Sequence, residues 1–202
     1  MQSTTMRFLK LIGGLYIYGW GLALMVNAKI GIPPWDVLAQ GISVQTKLSY
    51  GISSVIVSAL VLLAWIPLRQ RPGLGTVLNA VLIGLFADTV FPLLPNLVGN
   101  YALQLGSFAL GMLLVALATG LYISSHFGSG PRDGLMVGTQ QLTGWPFWIV
   151  RTMFEVTVLT IGWLMGGQVR EGTLIFAVCI GYLMQTSMRF FKVPMRKDPK
   201  RA

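Results

Sequence analysis

An internal duplication is the strongest constraint that this sequence places on its fold. The segment Gly31–Leu38, which reads GIPPWDVL, returns 97 positions later at Gly128–Leu135 as GSGPRDGL. The same offset carries Gly75 and Thr76 onto Gly172 and Thr173 without a gap. One unit of roughly a hundred residues is therefore present twice, and such repeats indicate an internally symmetric architecture.

Composition assigns the repeated unit to the lipid bilayer. Of the 202 residues, 54% are hydrophobic and only 10% are charged, and the mean hydropathy is +0.69. Soluble domains carry about 25% charged residues, so this chain lacks the charge needed to cover a water-facing surface. We therefore expect an all-α integral membrane protein with the lipid bilayer as its surroundings.

Charge and residue usage also exclude several function classes. The net charge is +9, with the excess near the termini, which favours anionic lipid headgroups over nucleic acid. The sequence has one cysteine and one histidine, so we predict neither a metal site nor a cofactor. No P-loop, nucleophile-elbow or zinc-protease motif is present, and we expect a protein that is not an enzyme.

Six apolar stretches are long enough to cross about 30 Å of hydrocarbon. They are residues 9–28, 50–68, 75–95, 102–125, 146–167 and 172–191. Two further segments, 34–47 and 131–144, are short and polar, and each begins at a proline, which suits the first turn of a helix. The predicted organisation is a first repeat at 1–98 and a second at 99–193. Each repeat has three spans and one short helix, and a basic cytoplasmic tail follows at 194–202.

The distribution of basic residues predicts the orientation of the spans. Arg7 and Lys10 lie at the N-terminal end of the first span, and six spans place Arg69, Arg71 and the C-terminal tail on the same side, so both termini are expected in the cytoplasm. Three spans per repeat is an odd number, which makes the second repeat inverted relative to the first. The short helices are then either re-entrant, with their starts near the midplane, or interfacial.

The duplicated motif supplies the candidate binding residues. Asp36 and Asp133 occupy equivalent positions and either cap the short helices or place two carboxylates around a central cavity. Arg132 replaces Trp35 in the second copy and adds a cation suited to a carboxylate or phosphate group. The predicted substrate-binding residues are Gly31, Trp35, Asp36, Gly128, Gly130, Arg132 and Asp133.

Further ionisable residues lie inside the predicted spans, where charge is costly and commonly functional or paired. Arg151 and Glu155 are four residues apart, so they share a helix face and can form an ion pair. Asp88 stands alone in its span. Asp88, Glu155 and Arg151 are therefore the candidates for proton or ion coupling.

Three motifs resemble those of a known family. GIPPWDVL at Gly31–Leu38, GSGPRDGL at Gly128–Leu135 and TGWP at Thr143–Pro146 are similar to segments of the bacterial YczE-type membrane proteins, which are grouped with YitT and YyaS. The resemblance covers nearly the whole chain. It implies a small multi-span protein of the bacterial cytoplasmic membrane, and it supplies neither a substrate nor established site residues.

Taken together, the residues predict a small secondary transporter or facilitator of a small polar metabolite, anionic or zwitterionic. Two alternatives stay open at this point: a membrane or substrate-binding subunit that works with separate ATPase proteins, and a scaffold or regulator that transports nothing.

Gly162 and Gly166 form a GxxxG spacing, which indicates a candidate homodimer face.

Overall fold

The computed structural model describes residues 3–48 and 50–194, and this part of the chain contains helices and turns but no strand. Residues 195–202, most of the predicted basic tail, lie outside the described residues. The helices are α1 (Thr4–Ala28), α2 (Pro34–Thr46), α3 (Tyr50–Ala64), α4 (Leu74–Val90), α5 (Tyr101–Ile123), α6 (Pro131–Thr143), α7 (Phe147–Leu164) and α8 (Glu171–Phe190). A single 3-10 turn, Phe91–Leu93, extends α4.

Five helical segments of the described residues are long and apolar enough to cross a membrane. They are α1, α4 with its 3-10 extension, α5, α7 and α8. The sixth predicted span, residues 50–68, was too long: the apolar part of α3 is Ile52–Ala64, and the chain turns immediately afterwards. Pro67 explains the early end, because proline disfavours the helical conformation of the residue before it.

Local sequence signals set the helix ends. The Ser3 side chain accepts a hydrogen bond from the Met6 N–H at the start of α1, and Asn100 does the same for Leu103 at the start of α5. Helices α2 and α6 begin with proline, as the sequence predicted. Helix α1 ends at Lys29 in the left-handed region, a common way to stop a helix.

Helices α1 and α5 pack against each other at the centre of the bundle and run antiparallel. Gly14 lies against Tyr122, whereas Gly21, farther along α1, lies against Val115, which is earlier in α5. A Cβ atom on Gly21 would stand 2.6 Å from the Gly111 carbonyl oxygen, so only glycine permits this approach. Small residues are the usual means by which membrane helices bring their backbones together.

The remaining helices surround this central pair in matched contacts. Helix α4 runs parallel to α1, helix α8 runs parallel to α5, α2 packs on α7, and α3 packs on α6. A glycine allows the close approach in each of these four interfaces. The contacts are Gly19 with Phe86, Gly120 with Ser187, Gly41 with Gly162, and Gly134 with Trp65.

The GxxxG spacing of α7 has an intramolecular role. Gly162 is buried against Val37 and Leu38 of α2, and Gly166 lies beyond the end of the helix with φ +95°. Its assignment to a homodimer face was therefore wrong, because the helix that fills the notch belongs to the same chain. A homodimer stays a prediction that no contact of the described residues supports.

Candidate functional site

Two chain breaks place the short helices. After α1, the Ile30 carbonyl accepts a hydrogen bond from the Gly172 N–H at 2.9 Å, and after α5 the Phe127 carbonyl accepts one from the Gly75 N–H at 2.8 Å. Each break is thus tied to the first turn of a spanning helix, α8 or α4. Because carbonyls freed at a helix end need partners in an apolar setting, these bonds stabilise the breaks.

The three glycines predicted to bind substrate belong to these breaks. A Cβ on Gly31 would lie 2.5 Å from the Thr173 nitrogen, and Gly128 has φ +107°, which favours glycine. The Asn79 amide lies against Gly130, so a side chain there would require Asn79 to move. None of the three lines the cavity described below, so they position the site from outside its wall.

A cavity of about 270 Å³ lies where the two short helices begin. Its wall includes Tyr18 of α1 and Val115 of α5, both in the middle of their helices. The starts of α2 and α6 therefore lie beside the middle of α1 and α5 and not beside their ends. The polar residues of the wall are Tyr18, Trp35, Asp36, Ser54, Ser58, Asn79, Arg132, Asp133 and Arg151.

An ion pair joins the two short helices across this cavity. The Arg132 guanidinium donates a hydrogen bond to Asp36 Oδ1 at 3.0 Å, and the two side chains are 30% and 19% exposed. The same guanidinium lies 5.7 Å from the centre of the Trp35 ring, within the range of a cation–π interaction. Part of this pair therefore stays available to a ligand in the cavity.

A second charged group is almost completely buried beside the first. Arg151 Nη1 donates to Asp133 Oδ1 at 2.8 Å, and Arg151 Nε lies 2.7 Å from Glu155 Oε1. The three side chains are at most 5% exposed. The Tyr122 hydroxyl donates to the other oxygen of Asp133 and accepts a bond from the Gly130 N–H.

The structure brings most predicted site residues together. Trp35, Asp36, Arg132, Asp133 and Arg151 line one cavity. Glu155 lies directly behind the wall, where it pairs with Arg151 as the four-residue spacing predicted.

Two sequence interpretations of carboxylates do not match the geometry. Neither Asp36 nor Asp133 caps its helix, because neither α2 nor α6 has a side-chain cap; both aspartates bond to arginine instead. Asp88 is exposed on α4 and lies outside the cavity wall. It looked central because its span is apolar, but α4 turns that face away from the bundle.

Sequence reasoning missed Tyr18, Asn79 and Tyr122. Asn79 offered a signal, since it is an amide inside an apolar span, and its buried Nδ2 has no hydrogen-bond partner among the described residues. Tyr122 also offered a signal, since it precedes the second break by a few residues. In the structure its hydroxyl bonds to both Asp133 and Gly130. Tyr18 carried no distinguishing pattern, because α1 has another tyrosine, Tyr16, only two positions earlier.

Comparison with known proteins now identifies the chain's relatives. Residues 5–189 match the sequence model of DUF6198, which is described as a family of unknown function. This chain belongs to that family. A protein of Haemophilus influenzae, described as uncharacterized, is 41% identical over 175 residues, which cover 87% of this chain and 80% of the relative.

Two Bacillus subtilis proteins are also similar. The uncharacterized membrane protein YczE is 34% identical over 189 residues, 93% of this chain and 87% of YczE. The uncharacterized protein YyaS is 27% identical over 174 residues, 85% of this chain and 86% of YyaS. No solved structure matches. The resemblance to YczE and YyaS is thus confirmed, and membership agrees with a chain that has several membrane-spanning helices.

Proposed function

We propose that this protein is a small secondary carrier of a zwitterionic metabolite in the bacterial cytoplasmic membrane. The observation that carries the proposal is the meeting of two helix starts, α2 and α6, at one cavity in the middle of the spanning helices. Helix N-termini at membrane depth are the means by which many secondary transporters hold a solute.

An inverted repeat is part of the proposal, and the helix positions support it. The starts of α1 to α4, at residues 4, 34, 50 and 74, recur 97 residues later at 101, 131, 147 and 171. The bonds at the two breaks are equivalent under the same offset. Because α1 and α5 are counterparts and run antiparallel, the second unit has the opposite direction to the first.

The charges of the wall favour a zwitterion over a simple anion. Arg132 and Arg151 each have a carboxylate partner already, so neither is a free anion-binding cation. The partly exposed Arg132–Asp36 pair instead offers one positive and one negative partner, which suits a solute with a carboxylate and an ammonium group. A cavity of about 270 Å³ suits a small metabolite.

The two repeats differ in how their last helices pack, and this difference supports alternation between two states. Helices α7 and α8 are joined by stacking of Trp148 on Tyr182 and by a bond from the Trp148 N–H to Gln185. Their counterparts α3 and α4 do not pack along each other in the described part, and the cavity reaches the gap between them. In the opposite state, α3 and α4 close while α7 and α8 separate.

The proposed orientation is tested by labelling single cysteines in a Cys179→Ser background. Arg69→Cys should react only with reagents that enter the cytoplasm, and Asn96→Cys should react from outside, because the basic loop is placed inside. Reaction of position 69 from outside in intact cells would refute both the six-span topology and the inverted repeat.

The solute site is tested by thermal-shift binding to purified protein. Amino acids and betaines should raise the melting temperature more than dicarboxylates or polyamines do. Arg132→Gln should weaken zwitterion binding about 10- to 100-fold, since hydrogen bonds to charged groups contribute about 1.5–3 kcal/mol. Arg71→Gln is the matched control, because Arg71 is exposed and outside the cavity.

A zwitterion identified in this way should then show counterflow in liposomes that contain the purified protein alone. Binding without counterflow would refute the carrier. Equal loss of binding in Arg132→Gln and Arg71→Gln would refute the site.

A further inference from the structure

The charges around the cavity do not balance. The charged cluster consists of Asp36, Arg132, Asp133, Arg151 and Glu155, so two guanidinium groups face three carboxyl groups. If every group were ionised, one negative charge would be left over in the middle of the membrane. Such a charge is expensive at this depth, and a bound cation or a proton removes the cost.

Glu155 is the carboxyl group that is left over. Asp36 has Arg132 and partial contact with solvent, and Asp133 accepts bonds from both Arg151 and Tyr122. Glu155 is 0% exposed; Arg151 Nε lies 2.7 Å from its Oε1, and the Trp35 indole also interacts with it, but neither carboxyl oxygen has a hydrogen bond of normal geometry to the described residues.

A dissolved cation in the cavity does not contact Glu155 itself. Glu155 is not part of the cavity wall, so a solute in the cavity does not reach it. The groups that interact with it are Tyr18 of α1, Trp35 of α2, Arg132 and Asp133 of α6, and Arg151 of its own helix. Helix α8 also packs on α7 but contributes no ionisable group to these interactions.

We infer that Glu155 carries a proton in this state and exchanges it with water only in the opposite state. The chemical step is one proton transfer: the Glu155 carboxylate takes one proton from water to form a carboxylic acid, and it returns that proton to water later. The coupling of this step to transport rests on the proposed carrier function. The protonation of Glu155 itself is independent of that function.

The repeat explains why the exchange depends on the state. Ser58, the counterpart of Glu155, is half-buried and lines the cavity beside the open gap between α3 and α4. When the two repeats exchange conformations, Glu155 takes the surroundings that Ser58 has now. Opening of α7 from α8 then gives the carboxyl group contact with water.

Infrared spectroscopy tests the proton without any solute. Purified protein in lipid nanodiscs at neutral pH should show the carbonyl stretch of a protonated carboxyl group. The sequence has only two glutamates, Glu155 and Glu171, so glutamate labelled with carbon-13 in the carboxyl group assigns the band. The band should shift with the label, persist in Glu171→Gln and in the aspartate control Asp88→Asn, and be absent in Glu155→Gln.

The possible spectra separate the alternatives. A band that ignores the label belongs to an aspartate and overturns the assignment to Glu155. Absence of any protonated carboxyl band overturns the proposal that Glu155 is protonated in this state. A shifted band in a protein that shows no counterflow refutes the carrier function and leaves the proton in place.

A disulfide lock tests the dependence on state. Thr152 Oγ1 lies 3.1 Å from the position of a Cβ on Gly181, so Thr152→Cys with Gly181→Cys should bridge α7 to α8 when Cys179 is replaced by serine. In heavy water the Glu155 band of the bridged protein should exchange its proton much more slowly than that of the reduced protein. Equal exchange rates in the bridged and reduced forms would overturn the gated access.

Discussion

Replacing Arg151 with methionine is expected to destabilise the protein more than any other single change in the charged cluster. Arg151 contacts both Asp133 and Glu155, and all three side chains are at most 5% exposed. Loss of a buried ionic partner typically costs about 3–5 kcal/mol. For a chain of this size, that cost corresponds to a fall of about 10 °C in the melting temperature, which circular dichroism in detergent can follow.

Two variants make this expectation specific. Glu155→Gln should lower the melting temperature much less, because Arg151 keeps Asp133 as its partner and glutamine resembles the protonated acid in shape. Arg151→Met combined with Asp133→Asn should recover part of the loss, because the carboxylate left without its cation is then neutral. A double variant less stable than Arg151→Met alone would contradict the paired arrangement.

The sequence predicted the parts of the site that depend on local spacing. The i, i+4 relation of Arg151 and Glu155 was sufficient to predict their side-chain contact, and the proline at the start of each short motif predicted where α2 and α6 begin. Both rest on helix geometry, which a single segment contains in full. The family resemblance was predicted from three short motifs and is confirmed by the comparisons.

The long-range partners were beyond the reach of sequence reasoning. Asp36 bonds to Arg132, which is 96 positions away, and Asp133 bonds to Arg151 of another helix. Which carboxylate meets which guanidinium depends on how α2, α6 and α7 pack. The sequence left open whether the two aspartates cap the short helices or line a shared cavity, and it did not predict the partner of Arg132. The pairs form between elements, so no single segment contains them.

Exposure was also hard to predict in an apolar chain. A span that is hydrophobic on every side gives no sign of which face meets lipid, so Asp88 and Glu155 looked equally central. The structure separates them: Glu155 is fully buried next to Arg151, and Asp88 is exposed near the end of α4. The difference follows from packing, because α7 contacts α2, α6 and α8, whereas α4 contacts α1 and its own 3-10 extension.

A cross-link between α3 and α4 is expected to stop the carrier completely in its opposite state. Val55 and Gly84 are the counterparts of Thr152 and Gly181, but Val55 is 68% exposed and Gly84 has no neighbour within 4 Å. Val55→Cys with Gly84→Cys should therefore bridge slowly under oxidation, as the molecules visit the closed arrangement. Counterflow of the bound zwitterion should fall to the level of empty liposomes and return after reduction.

The matched pair and a reporter decide what the cross-link means. Thr152→Cys with Gly181→Cys should bridge quickly, because those residues are already in contact, and it should also stop counterflow. A further Ser58→Cys should react with a small polar thiol reagent when Thr152→Cys is bridged to Gly181→Cys. It should not react when Val55→Cys is bridged to Gly84→Cys, since closing α3 onto α4 seals the cavity. Ser58→Cys that stays reactive after the Val55–Gly84 bridge has formed would mean that α3 and α4 do not gate the site. Alternation would then need another pair of helices, such as α2 with α7 and its counterpart α6 with α3, whose packing also differs in extent.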